Sequence, residues 1–163
     1  MNGTTNPTTI TAQPGTPFLE VRRDFDATPA RVFRAWTEPD LVARWLGPRE
    51  LRIEVLEYDA RSGGGYRYVH RDDEGGEFRF RGVFHTVEKD ELIIQTFEWE
   101  GAPGEVSIET IRFEDLGGGR TRVCQRGVFP SVAALEQAIA YGMERGINDG
   151  MDRLAELLAD DRG

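Results

Sequence analysis

The chain has 163 residues, 39% of them hydrophobic and 30% charged, the size and make-up of one globular domain at ~100–200 residues per domain. No stretch approaches the ~18 apolar residues that a membrane helix needs. A formal net charge of −9 leaves no basic footprint for phosphates, so neither nucleic acid nor an anionic membrane surface is expected as a partner.

Residues 1–17 are rich in Thr, Gly, Pro and Asn and show no apolar periodicity. They lack the basic start and apolar core of a secretory signal and read as a flexible tail before a single domain over 18–160. In 18–25, Leu19, Val21 and Phe25 share one parity with Arg23, the pattern of a strand with one buried face. Thr28 and Pro29 supply a helix cap and a proline at the first helical position. They predict a short helix over 29–36, and Pro39 starts a second through 45. Alternating segments follow at 51–58, 66–71, 77–87, 92–99, 106–113 and 121–129, divided by glycine-rich or charged turns. Connections this short predict an antiparallel meander. Ser131 then caps one long predicted helix, with Leu135, Ile139, Met143, Ile147, Met151, Leu154 and Leu158 on a single face. The expected class is α+β: a seven-stranded antiparallel sheet, two short helices after the first strand, and a long C-terminal helix covering the apolar face.

Cys124 is the only cysteine, so no intrachain disulfide forms, which suits a reducing, cytoplasmic setting. The two histidines, His70 and His85, lie on different strands, and no metal-ligand spacing occurs, so neither a metal nor a cofactor is expected. The glycine triplets at 63–65 and 117–119 read as turns, because no helix follows them to hold a phosphate.

A surplus of aromatics remains. Trp36 and Trp45 fall in the short helices. Tyr66, Tyr68 and His70 share one parity of their strand; Phe78, Phe80 and Phe84 share one parity of the next; Phe97 and Trp99 share one parity of the strand after that. They form either a plain core or the wall of a small-molecule cavity with a few polar handles. Arg23 points into the same apolar layer and needs an acceptor, either a carboxylate of the chain or an acidic or carbonyl-bearing ligand. Gly142, Gly146 and Gly150 recur beside the helix stripe, each at a cost of about 1 kcal/mol relative to alanine. Either they let the helix approach the sheet, or they leave room for a ligand next to Met143 and Ile147.

The stretch RRDFDATPARVFRAWTEPDLVARWLGP (22–48) resembles the opening of the SRPBCC, or START-like, superfamily. More narrowly it resembles the branch named for the C-terminal domain of the activator of Hsp90 ATPase. The likeness continues in GGGYRY (63–68), Gly82-Val83-Phe84, TFEWE (96–100), GGGRTRV (117–123) and YGMERGINDGMDRLAELL (141–158). It implies a helix-grip (Bet v 1-like) fold, with a curved sheet around the last helix and a cavity between them. Two departures stand out. Many relatives carry a glutamate two residues after the strand glycine-aromatic pair, where this chain has Thr86. Many have Gly-Trp in the last helix, where this chain has Gly146-Ile147. Both imply a cavity that is less acidic and less aromatic at those points. The leading expectation is a binding protein for a small apolar or aromatic molecule, lipid-like or polyketide-like. Two alternatives stand beside it. One is an enzyme of the polyketide cyclase/dehydratase or hydrolase kind, using Tyr66, Tyr68, His70 and Arg23 on a carbonyl substrate. The other is a chaperone-associated role in a stress response, as the branch name implies. A homodimer is permitted but not required.

Overall fold

The computed structural model describes residues 6–160. Its strands are β1 (Thr9–Ala12), β2 (Phe18–Phe25), β3 (Arg52–Tyr58), β4 (Gly65–Arg71), β5 (Glu77–Glu88), β6 (Leu92–Trp99), β7 (Ser107–Gly117) and β8 (Arg120–Val128). They form one antiparallel sheet in the order β1-β2-β8-β7-β6-β5-β4-β3. From β3 to β8 this is the meander that the short turns predict. Gly118 and Gly119 join β7 to β8 at φ values of +63° and +78°, the left-handed pair that a tight hairpin requires.

The sheet has eight strands rather than seven. The additional strand, β1, lies in the segment expected to be a tail. It pairs with β2, with Ile10 opposite Val21 and Ala12 opposite Leu19, and both residues pack against the core. Four residues flanked by Pro and Gly are too short an alternation to stand out in sequence. Residues 1–5 of the expected tail lie outside the described residues.

Helices α1 (Pro29–Thr37) and α2 (Pro39–Trp45) carry the chain from β2 to β3 at the far side of the sheet. The Thr28 hydroxyl accepts from the Arg31 amide at 3.4 Å, as the cap predicts. The single long helix is in fact two, α3 (Val132–Ala140) and α4 (Met143–Asp160). Ser131 does cap α3, accepting from the Ala134 amide at 3.0 Å. The break falls at Gly142, whose φ of +91° is left-handed and ends α3. Apolar spacing runs straight through it, so periodicity alone does not reveal it.

Burial on α4 is uneven. Gly150, Met151, Leu154, Leu157 and Leu158 are buried, whereas Met143 and Ile147 in its first half are only half-covered. The C-terminal half therefore seals the core around Phe25, Ile111 and Val123, and the N-terminal half does not close over the sheet. On the outer face, arginines and carboxylates pair: Arg67 with Glu100 (2.8 Å), Arg81 with Glu98 (3.0 Å) and Arg122 with Asp24 (2.8 Å). Exposed pairs of this kind contribute ~0–1 kcal/mol each, so they clothe the sheet more than they stabilise it.

Candidate ligand site

Alternation puts the rings of β3, β4, β5 and β6 on the inner face. Tyr58, Tyr66 and Phe84 meet at centroid distances of 5.3–5.7 Å. Tyr66 stacks on Tyr68 at 6.0 Å, Tyr68 on Phe80 at 5.3 Å, and Phe80 on Phe97 at 5.3 Å. His70 closes the array edge-on to Tyr68 (5.2 Å) and Phe80 (5.6 Å). The predicted residues Tyr66, Tyr68, His70, Phe80, Phe84 and Phe97 thus form one continuous aromatic wall. Gly82 makes room for it, because a Cβ there would lie 2.5 Å from the Tyr66 ring. The Tyr66 hydroxyl donates to the Thr96 carbonyl at 2.6 Å, and the Tyr58 hydroxyl to the Trp36 carbonyl at 2.8 Å.

Beside the wall lies a polar group that the sequence reading misses. Glu109 shares the inward parity of Ile111 and Phe113 on β7. Its two carboxylate oxygens accept from Gln95 Nε2 (2.8 Å) and Gln125 Nε2 (3.2 Å), which reach in from β6 and β8. Gln95 stands directly opposite Glu109 in the sheet register. Gln95 Oε1 is buried with no hydrogen-bond partner. Enclosure by protein raises the Glu109 carboxyl above the usual carboxylate range, and the two amides offset only part of this. Burial first, and the Glu109 charge second, hold the Tyr58, Tyr66 and Tyr68 hydroxyls protonated. Glu109 and Tyr58 are only half-covered in the structure. Gln95, Phe80 and Phe97 on the same face are likewise only half-covered. The less acidic character expected at Thr86 concerns that position alone, and the acid on this face, Glu109, comes from a different strand. The available signal was a charged residue on the buried parity of β7, the same signal that singled out Arg23.

The other candidate residues divide by location. Arg23 is buried as parity predicts, and its acceptors are within the chain: Asp152 on α4 at 2.6 Å and the Thr8 hydroxyl at 2.9 Å. Trp36 and Trp45 pack on each other at 4.7 Å in the core under the short helices, and Trp45 Nε1 donates to the Ala35 carbonyl at 2.8 Å. Gly150 and Gly146 on α4 face the turn after α2. Gly150 would set a Cβ 3.4 Å from the Trp45 carbonyl, and Gly146 would set one 3.6 Å from Pro48. Gly150 thus packs closely on the α2 turn, not on the sheet, whereas a side chain at Gly146 would make only an ordinary contact. Gly142 serves the helix break instead. Met143 and Ile147 pack, half-covered, against the core, and Trp99 lies edge-on to Tyr141 at 6.0 Å beside the α3–α4 break. His70 lies against Gly47, with its Nδ1 buried and unpartnered. Burial, and secondarily the Arg153 charge, push its imidazole down to about 4, so it is neutral near pH 7.

A family profile described as "Activator of Hsp90 ATPase homolog 1-like protein" matches residues 26–159. The chain belongs to this family. Solved structures agree with its START-like helix-grip architecture. A Rhodobacter sphaeroides protein superposes with a TM-score of 0.85 at 24% identity, over 94% of this chain and 99% of its own. An Arthrobacter aurescens protein gives 0.86 at 22% identity, over 95% and 93%. A Chromobacterium violaceum protein gives 0.77 at 27% identity, over 87% and 96%. No curated protein matches the chain. This fold hosts many activities, so membership fixes the scaffold, and function has to be argued from the site.

Proposed function

We propose that this protein binds a small, largely aromatic or apolar molecule between the inner face of the sheet and the first half of α4. The observation that carries this reading is the half-covered aromatic wall. Tyr58, Phe80 and Phe97 keep accessible surface beneath a helix whose facing residues, Met143 and Ile147, are also only half-covered. A wall of rings with a few fixed polar groups is the usual make-up of a small-molecule site. The contacts of His70 are with the Tyr68 and Phe80 rings and Gly47, and its Nδ1 has no hydrogen-bond partner among the described residues, so no base–nucleophile pair supports a catalytic reading. The reading is therefore binding, with no reaction assigned.

The test is an amide NMR titration of the full chain with 2-naphthol. Shifts should concentrate at Tyr68, Phe97, Glu109 and Ile147, with an accompanying rise in melting temperature. Shifts confined to the outer-face depression lined by Arg22, Arg112, Cys124 and Arg126 would refute the proposal.

A further inference from the structure

We infer that the ligand of this cavity is an apolar or aromatic amine in its protonated form, held by Glu109. This rests on the cavity reading above and deepens it. The argument is an account of donors and acceptors around one carboxylate. Each carboxylate oxygen has two lone-pair positions. Gln95 and Gln125 fill one position on each oxygen of Glu109, leaving the others free. Gln95 turns its Nε2 toward Glu109, and its Oε1 is left as a further buried acceptor without a donor. Tyr58 and Tyr66 add no donors, because their hydroxyl protons go to the carbonyls of Trp36 and Thr96, which leaves the Tyr68 hydroxyl as the ring donor of the wall. Their ring faces are themselves electron-rich and attract a cation.

The inward cation of the fold does not answer this demand. The Arg23 Nη1 atom is committed to Asp152 and Thr8, and its Nε is buried without an acceptor. Around Glu109 itself the free lone pairs and Gln95 Oε1 outnumber the Tyr68 hydroxyl, and the complement is a donor carrying positive charge. A buried carboxylate gains most from a partner that brings both. An anionic ligand would meet like charge in a desolvated site.

Three probes sharing one ring system test the inference: 2-(2-naphthyl)ethylamine, 2-(2-naphthyl)ethanol and 2-naphthylacetate, titrated calorimetrically at pH 7 into the full chain. The amine should bind at least about tenfold more tightly than the alcohol, as expected for one charge-assisted contact, and the acetate more weakly than either. Glu109→Gln should remove the amine preference and leave alcohol binding within about twofold, since the side-chain volume is kept. Glu109→Gln is checked by its melting curve. Should that variant not fold, Gln95→Leu, which removes the free acceptor but not the charge, should weaken the amine and spare the alcohol. Equal binding of amine and alcohol to the wild type, or an amine preference that survives Glu109→Gln, overturns the inference and leaves the cavity reading intact. Failure of all three probes to bind overturns both.

Discussion

Replacing Gly82 by alanine tests whether the aromatic wall is held by a close backbone approach. The added Cβ would sit 2.5 Å from two carbons of the Tyr66 ring and inside contact distance of the Thr96 carbonyl oxygen. Carbonyl and ring are both fixed, because the Tyr66 hydroxyl donates to that same carbonyl at 2.6 Å. Relief therefore requires the β5–β6 pairing to open or the ring to leave its place. Overpacking of this kind costs about 1–3 kcal/mol, and losing the hydroxyl's hydrogen bond adds about 1 kcal/mol. At about 2–4 °C per kcal/mol for a domain of this size, the melting temperature should fall by about 4–16 °C. Gly146→Ala is the matched control. Its Cβ would meet Pro48 at 3.6 Å, an ordinary contact. Removing a helix-interior glycine contributes about 1 kcal/mol, so this variant should melt a few degrees higher. Thermal melts followed by circular dichroism decide both. A Gly82→Ala protein that melts within about 2 °C of wild type would refute the close-approach argument.

Two further outcomes follow from buried ionisable groups. His70 has its folded pKa depressed to about 4 from 6.5, so the unfolded chain takes up the proton first. The stability held above pH 6.5 is lost as pH falls toward 4, by roughly 3 kcal/mol for this shift. His70→Leu should flatten the loss of melting temperature between pH 7 and 4.5, and an unchanged slope would refute this. Asp152→Asn leaves the Arg23 guanidinium buried without its counter-charge. Because Asp152 itself is half-exposed, the expected cost is about 1–3 kcal/mol, below that of breaking a fully buried pair. The midpoint of urea unfolding measures it. The double variant Arg23→Met with Asp152→Leu should recover most of the loss, and a double variant as unstable as the single one would show that the pair is not what holds Arg23.

Strand parity and turn chemistry made most of the architecture legible. Leu19, Val21 and Phe25 announce β2, Thr28-Pro29 announces α1, and the 117–119 triplet announces the last hairpin, each through a local rule that the fold obeys. The two misreadings share a cause: local signals too short or too regular to carry tertiary information. β1 has four residues, and only its pairing with β2 makes it a strand. The α3–α4 break leaves the apolar stripe intact, because Met143 and Ile147 keep their spacing from Ile139. Only the left-handed backbone at Gly142 marks it, and glycine alone does not distinguish a break from a close approach. Gly150 illustrates this, having the same spacing and a different role.

The aromatic half of the candidate site was legible because rings on one parity of β4, β5 and β6 must meet in an antiparallel sheet. The acidic half was not. Glu109 sits in SIETIRFED, where charged and apolar residues mix, and the alternation becomes clear only once Ile111 and Phe113 are known to face inward. Gln95 and Gln125 were passed over for the same reason. Each is an ordinary polar residue by itself, and they become a constellation only because β6, β7 and β8 are adjacent in the sheet. The inward parity of these strands also carries Ile93, Phe97, Ile111, Phe113 and Val123, so position alone would favour an apolar side chain at 95, 109 and 125. Three polar groups there cost desolvation that a plain core would not incur. Their mutual hydrogen bonds recover part of that cost, and the unpartnered Gln95 Oε1 shows that the recovery is incomplete in the protein by itself. The donor inferred above would complete it. The same atom that counts as a defect of packing is therefore the strongest indication of which chemistry the cavity accepts.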